Sequence, residues 1–128
     1  MASLLVNTGK AIVTNRIKGS GTEPLNLGWG TGAGTTGLTD TDLFTAATEA
    51  RVAGTSSQVT VTTTNDTYQV VGTITAGGAK TITNAGLFDG LGTGSPPSGA
   101  NLFVKGDFTG IALSTNDSIT FTIKCQFT

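Results

Sequence analysis

S-I-T-F-T-I-K-C-Q-F-T, residues Ser118 to Thr128, alternates apolar and polar side chains without a break. Ile119, Phe121, Ile123, Cys125 and Phe127 fall on one side of an extended chain. Ser118, Thr120, Thr122, Lys124, Gln126 and Thr128 fall on the other. A period of two is the mark of a strand with one buried face and one wet face. The stretch therefore predicts a strand running to Thr128 and, behind it, a sheet packed on a core.

The composition extends that reading to the whole chain. At 128 residues the sequence fits one domain. Hydrophobic residues make up 37%, charged residues 12%, and the net charge is −1, which excludes the low-hydropathy, high-charge profile of a disordered chain. Threonine is abundant and suits strands; the 19 glycines suit turns and close backbone approaches. The expected class is all-β: an antiparallel β-sandwich or barrel-like single domain, with an N-terminal arm and at most one short helix.

Further strands are expected upstream. Leu25, Leu27 and Trp29 alternate with Asn26 and Gly28, then run into the glycine-rich loop Gly30 to Gly37. Asp40 or Thr39 reads as the N-cap of a short helix ending before Arg51. Arg51 to Ile74 reads as a hairpin turning at Asn65-Asp66. Ala76 to Ala79 is a turn, and Lys80 to Phe88 a strand with a bulge expected at Gly86. Gly90 to Gly99 holds two prolines and is a loop. Leu102 to Val104 reads as a short strand, and Asn116-Asp117 as the turn into the last one. Strands at this spacing suggest two packed sheets. Residues 1–24 are expected to be an arm and linker and 25–128 the body. Within the arm the apolar spacing is neither cleanly helical nor cleanly alternating, Gly9 interrupts both patterns, and a strand is expected near Ala11–Ile17.

The residues exclude several chemistries. The chain has no histidine, hence no Ser-His or Cys-His nucleophile and no imidazole metal ligand. Asp66 and Asp117 sit beside asparagine in turns, and Asp89 and Asp107 at strand ends; structural roles suffice for them. No feature selects a glycosidase pair of carboxylates. Gly28 to Gly34 lacks the Gly-Lys-Ser/Thr ending of a phosphate cradle, and Asp40-Thr41-Asp42 lacks the glycine and glutamate of a calcium loop. Thr60, Thr62 and Thr64 alternate as on an ice-binding face, but no repeat makes a flat array. No cofactor or metal is called for. The net charge carries no nucleic-acid footprint, and no run approaches a transmembrane length or a signal-peptide core. Expected use is away from the general secretory route. The single cysteine, Cys125, reads as a small buried hydrophobe.

Charge is uneven at the start of the chain. Lys10, Arg16 and Lys18 all precede the first acid, Glu23. A locally positive segment reads first as a solvated stretch, and alternatively as a docking arm for an acidic surface.

Six blocks in order carry a resemblance: Trp29 to Gly32, Thr39 to Phe44, Arg51 to Thr55, Asn84 to Asp89, Leu102 to Lys105 and Asp117 to Thr122. Together they resemble small structural proteins of tailed bacteriophages, a group holding capsid cement (decoration) and tail-fibre-like proteins. Val6 to Pro24 is most similar to capsid-associated proteins of cyanobacterial phages. The resemblance implies a non-enzymatic, trimeric virion protein on the outer capsid surface, with the major capsid protein and its own copies as partners. The arm, Met1 to Gly19, is then the expected shell contact: Leu4, Leu5, Val6 and Ile12 as apolar anchors, Lys10, Arg16 and Lys18 as electrostatic ones. The alternative is a tail-fibre or tail-attachment module, with receptor or glycan binding marked by exposed aromatics. An enzyme working by carboxylates alone is the third reading.

Overall fold

The computed structural model describes residues 3–128. They form eight strands and one helix: β1 (Ser3–Leu5), α1 (Asn7–Ile17), β2 (Asn26–Gly30), β3 (Val52–Ala53), β4 (Thr55–Val59), β5 (Thr67–Thr75), β6 (Lys80–Phe88), β7 (Leu102–Leu113) and β8 (Ser118–Gln126). One sheet has the order β1-β7-β6-β2-β3 and the other β4-β5-β8, with every pairing antiparallel. The two sheets face each other as a sandwich, and the expected all-β class holds.

β8 behaves as its alternation requires. Phe121, Ile123 and Cys125 are buried between the sheets, while Thr120, Thr122, Lys124 and Gln126 are exposed. Its partner β5 contributes Val70 and Ile74 to the same core, and β2 and β6 contribute Leu27, Trp29, Ile82, Ala85 and Leu87 from the facing sheet. Trp29 meets Phe121 edge-on at 6.3 Å between ring centroids, tying the two layers together. The strand stops at Gln126, however. Phe127 leaves the core and is 47% exposed.

One side of the sandwich is closed by the chain itself. β3 belongs to the larger sheet and β4 to the smaller, and Gly54 carries the chain from one to the other. A Cβ at Gly54 would lie 2.5 Å from a Val70 methyl, so this corner needs glycine.

Four expectations are corrected. The first concerns the N-terminal segment: β1 pairs with Val104–Gly106 of β7, and the next element is a helix, not a strand near Ala11–Ile17. Residues 3–24 thus belong to the body instead of forming a free arm, and Met1 and Ala2 of the expected arm lie outside the described residues. α1 has poor intrinsic helix formers in N-T-G-K-A-I-V-T-N-R-I and no side-chain N-cap. Tertiary contacts supply what propensity lacks. The Asn7 N–H donates to the Leu38 carbonyl at 2.8 Å, and the Thr8 hydroxyl donates to the Leu102 carbonyl at 2.7 Å. Gly9 does not break the helix; it lets the helix touch β7, because a Cβ there would sit 2.1 Å from the Phe103 carbonyl oxygen. At the other end Gly19 takes φ 94° and donates to Arg16, while Ser20 donates to Asn15. This is the Schellman termination that a glycine just past a helix provides.

Second, no helix starts at Asp40. Phe44 to Ala47 instead runs beside the end of β2, with Thr31 donating to Thr45, Gly32 to Phe44 and Ala47 to Trp29. Third, the irregularities in the β6–β7 pairing flank Gly86 instead of falling on it: between the Ile82–Ile111 and Asn84–Asp107 pairs β7 places three residues opposite one, and between Leu87–Val104 and Phe88–Leu102 it has one extra residue. Gly86 itself pairs in register with Gly28 and Lys105. Fourth, β7 continues nine residues past the predicted Leu102–Val104, to Leu113.

Candidate interaction surfaces

The buried polar residues are Asn26, Arg51, Thr67, Asn84 and Lys105, and two of them, Asn84 and Lys105, pin the long loop Thr31–Ala50 onto the larger sheet. Lys105 is 1% exposed. Its ammonium donates to Asp40 Oδ2 at 3.0 Å and to the Asp42 carbonyl at 2.9 Å, and lies 3.2 Å from the centre of the Phe44 ring. The Gly37 N–H holds the Asp40 carboxyl below its usual range; burial opposes this, and Lys105 reinforces it. Asn84 exchanges both its amide groups with the Phe44 backbone at 3.0 Å. The Arg51 guanidinium stacks 3.6 Å above the Phe88 ring and donates to the Gly90 and Gly99 carbonyls. A third cluster joins Trp29 Nε1–H, the Gly77 N–H and the Lys80 ammonium to the Glu49 carboxylate. Burial raises the Glu49 carboxyl, and the three donors outweigh it, holding it at about 2. These ions act as rivets between loop and sheet.

Most of the remaining acids accept hydrogen bonds in turns, whereas Asp107 lies inside β7 and not at a strand end. Asp66 accepts from the Val61, Thr62 and Thr63 N–H groups and from the Gln126 amide. The backbone donors, Thr63 first, hold its carboxyl well below the usual carboxylate range. Asp117 accepts from Ser114, Asp89 from Asn101, and Asp107 from the Thr36 N–H. Among the described residues, no three of the acids and the cysteine converge to hold a metal ion. Burial pushes the Cys125 thiol up, away from reactivity.

The expected anchors divide sharply. Val6 is fully buried with Phe88 and Leu102, and Ile12 joins the main core. Leu4 and Leu5 are half-buried in β1. Val6 is committed to the fold and is not free to anchor a partner, which corrects its assignment; Leu4 and Leu5 keep partial exposure, and Ile12 lines a groove beside α1. Lys10, Arg16 and Lys18 are all exposed on or just beyond α1. The apolar partner to these cations is a feature the sequence hid. Ile12, Val13, Ile17, Pro24, Tyr68 and Phe127 line a groove of about 420 Å³ beside α1. Ile17 is 81% exposed at its edge. The Tyr68 hydroxyl closes the floor, donating to Glu23 or Pro24. The exposure of Ile17 and Phe127 had no signal in the sequence, because both fall on apolar positions of their patterns.

The second surface lies on the side opposite the β3–β4 corner. β8 ends its sheet there, as does the part of β7 beyond the short edge strand β1, and a shallow groove between β7 and β8 is lined by apolar and threonine side chains. Trp29, the only tryptophan, is buried at 2% exposure, and the Tyr68 ring packs edge-on against Phe103 at 5.8 Å. No family model, no curated protein and no solved structure matches the chain.

Proposed function

We propose that this protein is a non-enzymatic virion structural protein: a capsid cement protein that forms homotrimers on the outer capsid surface and bridges neighbouring subunits of the major capsid protein. The observation that carries the reading is the surface around α1, where Arg16 lines a mostly apolar groove edged by Ile17 and Phe127, and exposed Lys10 and Lys18 lie on or just beyond the same helix. Cations around an apolar patch suit an acidic protein surface, with charge guiding encounter and apolar burial supplying affinity. The body behind it is built for rigidity, its buried ions committed to fastening loops. The mechanism is associative. Each trimer binds the assembled shell and not the free subunits, so every contact adds stability to the assembled state.

The shell contact is carried by the folded α1 surface and not by a loose arm. Deleting the segment is therefore the wrong test, since it removes core. The test is co-sedimentation with capsids that lack the protein, comparing expanded shells, unassembled subunits and tails. Saturable binding to shells alone, near one trimer per three-fold site, is the expected result. The triple charge reversal of Lys10, Arg16 and Lys18 to Glu keeps the fold and lowers shell occupancy at least tenfold at moderate salt. Binding to tails, or to neither, sinks the cement reading and favours a tail module. With Trp29 buried and Tyr68 packed, that module has no exposed tryptophan or tyrosine with which to stack on a sugar.

A further inference from the structure

We infer that the open seam between β7 and β8 is the surface on which copies of this chain join, each β8 edge pairing with a neighbour's β7 edge. Three observations point to the occupant. First, both sheets end on this side with backbone to spare. Among the described residues, β1 covers only Val104–Gly106 of β7 and no strand lies outside Asp107–Leu113, and β8 is the last strand of its sheet. The Ser3 hydroxyl reaches the Lys124 carbonyl at 3.0 Å, which caps the seam at that end and leaves Ser118–Ile123 open. Second, of the usual protections of an edge only two are present, both on β7: Asp107 at the start of its open stretch and the irregularity at Phe108–Gly110. From Phe108 to Leu113 and from Ser118 to Ile123 there is no charge and no proline. Third, the groove between them, about 640 Å³, has Phe108 and Ile111 on one wall and Ile119 and Phe121 on the other, with only threonines between. Phe108 and Phe121 already meet across it at 6.2 Å between ring centroids.

An uncharged apolar groove flanked by two free edges calls for an occupant that is itself uncharged and brings edges of its own. A second copy does so with matching polarity. A lone added strand satisfies one edge and strands the other. A two-fold pairing of β8 with β8 leaves both β7 edges open. A ring in which each β8 meets the next copy's β7 uses every edge, and the seam side chains then fill the space around its axis. Three copies, a number that rests on the proposed cement function, close such a ring as a triangular prism of three continuous sheets.

The experiment is light scattering on the eluted full chain at concentrations up to about 100 µM, with hydrogen exchange on the same samples. The expected mass is three times the 12.8 kDa chain, with slow exchange over 108–113 and 118–123. Ile111→Lys alters a residue already 41% exposed and weakens association at least tenfold with an unchanged far-ultraviolet circular dichroism spectrum. Thr109→Lys, at an exposed polar position of the same wall, does the same should Ile111→Lys misfold. Ile17→Lys, on α1, leaves the mass unchanged. A monomeric wild type, a dimer, or a trimer indifferent to both seam variants overturns the inference. Trimers that ignore shells overturn the cement reading and leave the seam standing, whereas monomers that saturate shells do the reverse.

Discussion

Single residues fix three contacts that a substitution will expose. Gly9 is held against β7 at a distance no side chain tolerates, and the obstacle is backbone, which cannot rotate away. Gly9→Ala is expected to cost about 2–3 kcal/mol, although alanine is the better helix former, and urea unfolding measures it. Asp40 answers a lysine that is almost wholly out of water. Asp40→Ala leaves the Lys105 ammonium with one carbonyl and a ring face, and is expected to cost about 3 kcal/mol; Lys105→Met, which removes the buried charge itself, costs less. Glu49 sets an acid limit. Its folded pKa of about 2 lies below the ordinary 4.5, so the folded state holds fewer protons in between. Its stabilisation is complete above about pH 4.5 and is lost as pH falls toward 2. Unfolding midpoints measured from pH 7 to pH 2.5 should fall over that window, and Glu49→Gln should flatten the fall while lowering the midpoint at pH 7. The carboxylates at these sites were legible as residue types, but their partners were not. Lys80 and Gly77 lie far along the chain from Glu49, as Lys105 does from Asp40, and only folding brings them together.

Elements were legible wherever one face is buried and the other wet. β8 alternates cleanly and its position follows from the sequence alone; β5 and the start of β6 alternate less strictly, and β6 is buried on both faces from Asn84 to Phe88. The Asn65 and Asn116 turns follow as well, both residues adopting positive φ (57° and 71°) as asparagine tolerates. The helices were misread in both directions, for one physical reason. Asp40 to Phe44 carries the local chemistry of a helix start, but the Asp40 carboxylate and the Phe44 ring are drawn to Lys105 and the segment stays an irregular loop with bends. Asn7 to Ile17 carries weak helix chemistry, but a loop carbonyl caps it and β7 supports it. The one local signal for its end, Lys18-Gly19 after an apolar residue, was present and was outweighed by Gly9. Deleting Ser3 to Lys18 removes Val6 and Ile12 from the core along with β1. We expect the truncated chain to lose its cooperative thermal transition, as differential scanning calorimetry will show, rather than to remain a folded body without an arm.

At the scale of the whole molecule, the sequence by itself determined the class. Alternating β-branched and apolar residues, a small charge and many glycines leave an all-β sandwich as the arrangement that buries one face of each strand. It also determined that chemistry by histidine is absent and that positive charge gathers before Glu23. Tertiary structure alone decided which sheet each strand joins, because antiparallel pairing of β6 with β7 and of β5 with β8 rests on contacts far apart in the chain. It decided that Leu5, Val6 and Ile12 face inward and that Ile17 and Phe127 face outward, since the same apolar residue serves a core or a surface according to what lies opposite. It decided too that one side of the sandwich is closed by the β3–β4 corner and the other left open between β7 and β8. Periodicity reports which face of a strand is apolar; it carries no information about whether the strand's edge has a neighbour, and that is settled only when the whole chain is in place.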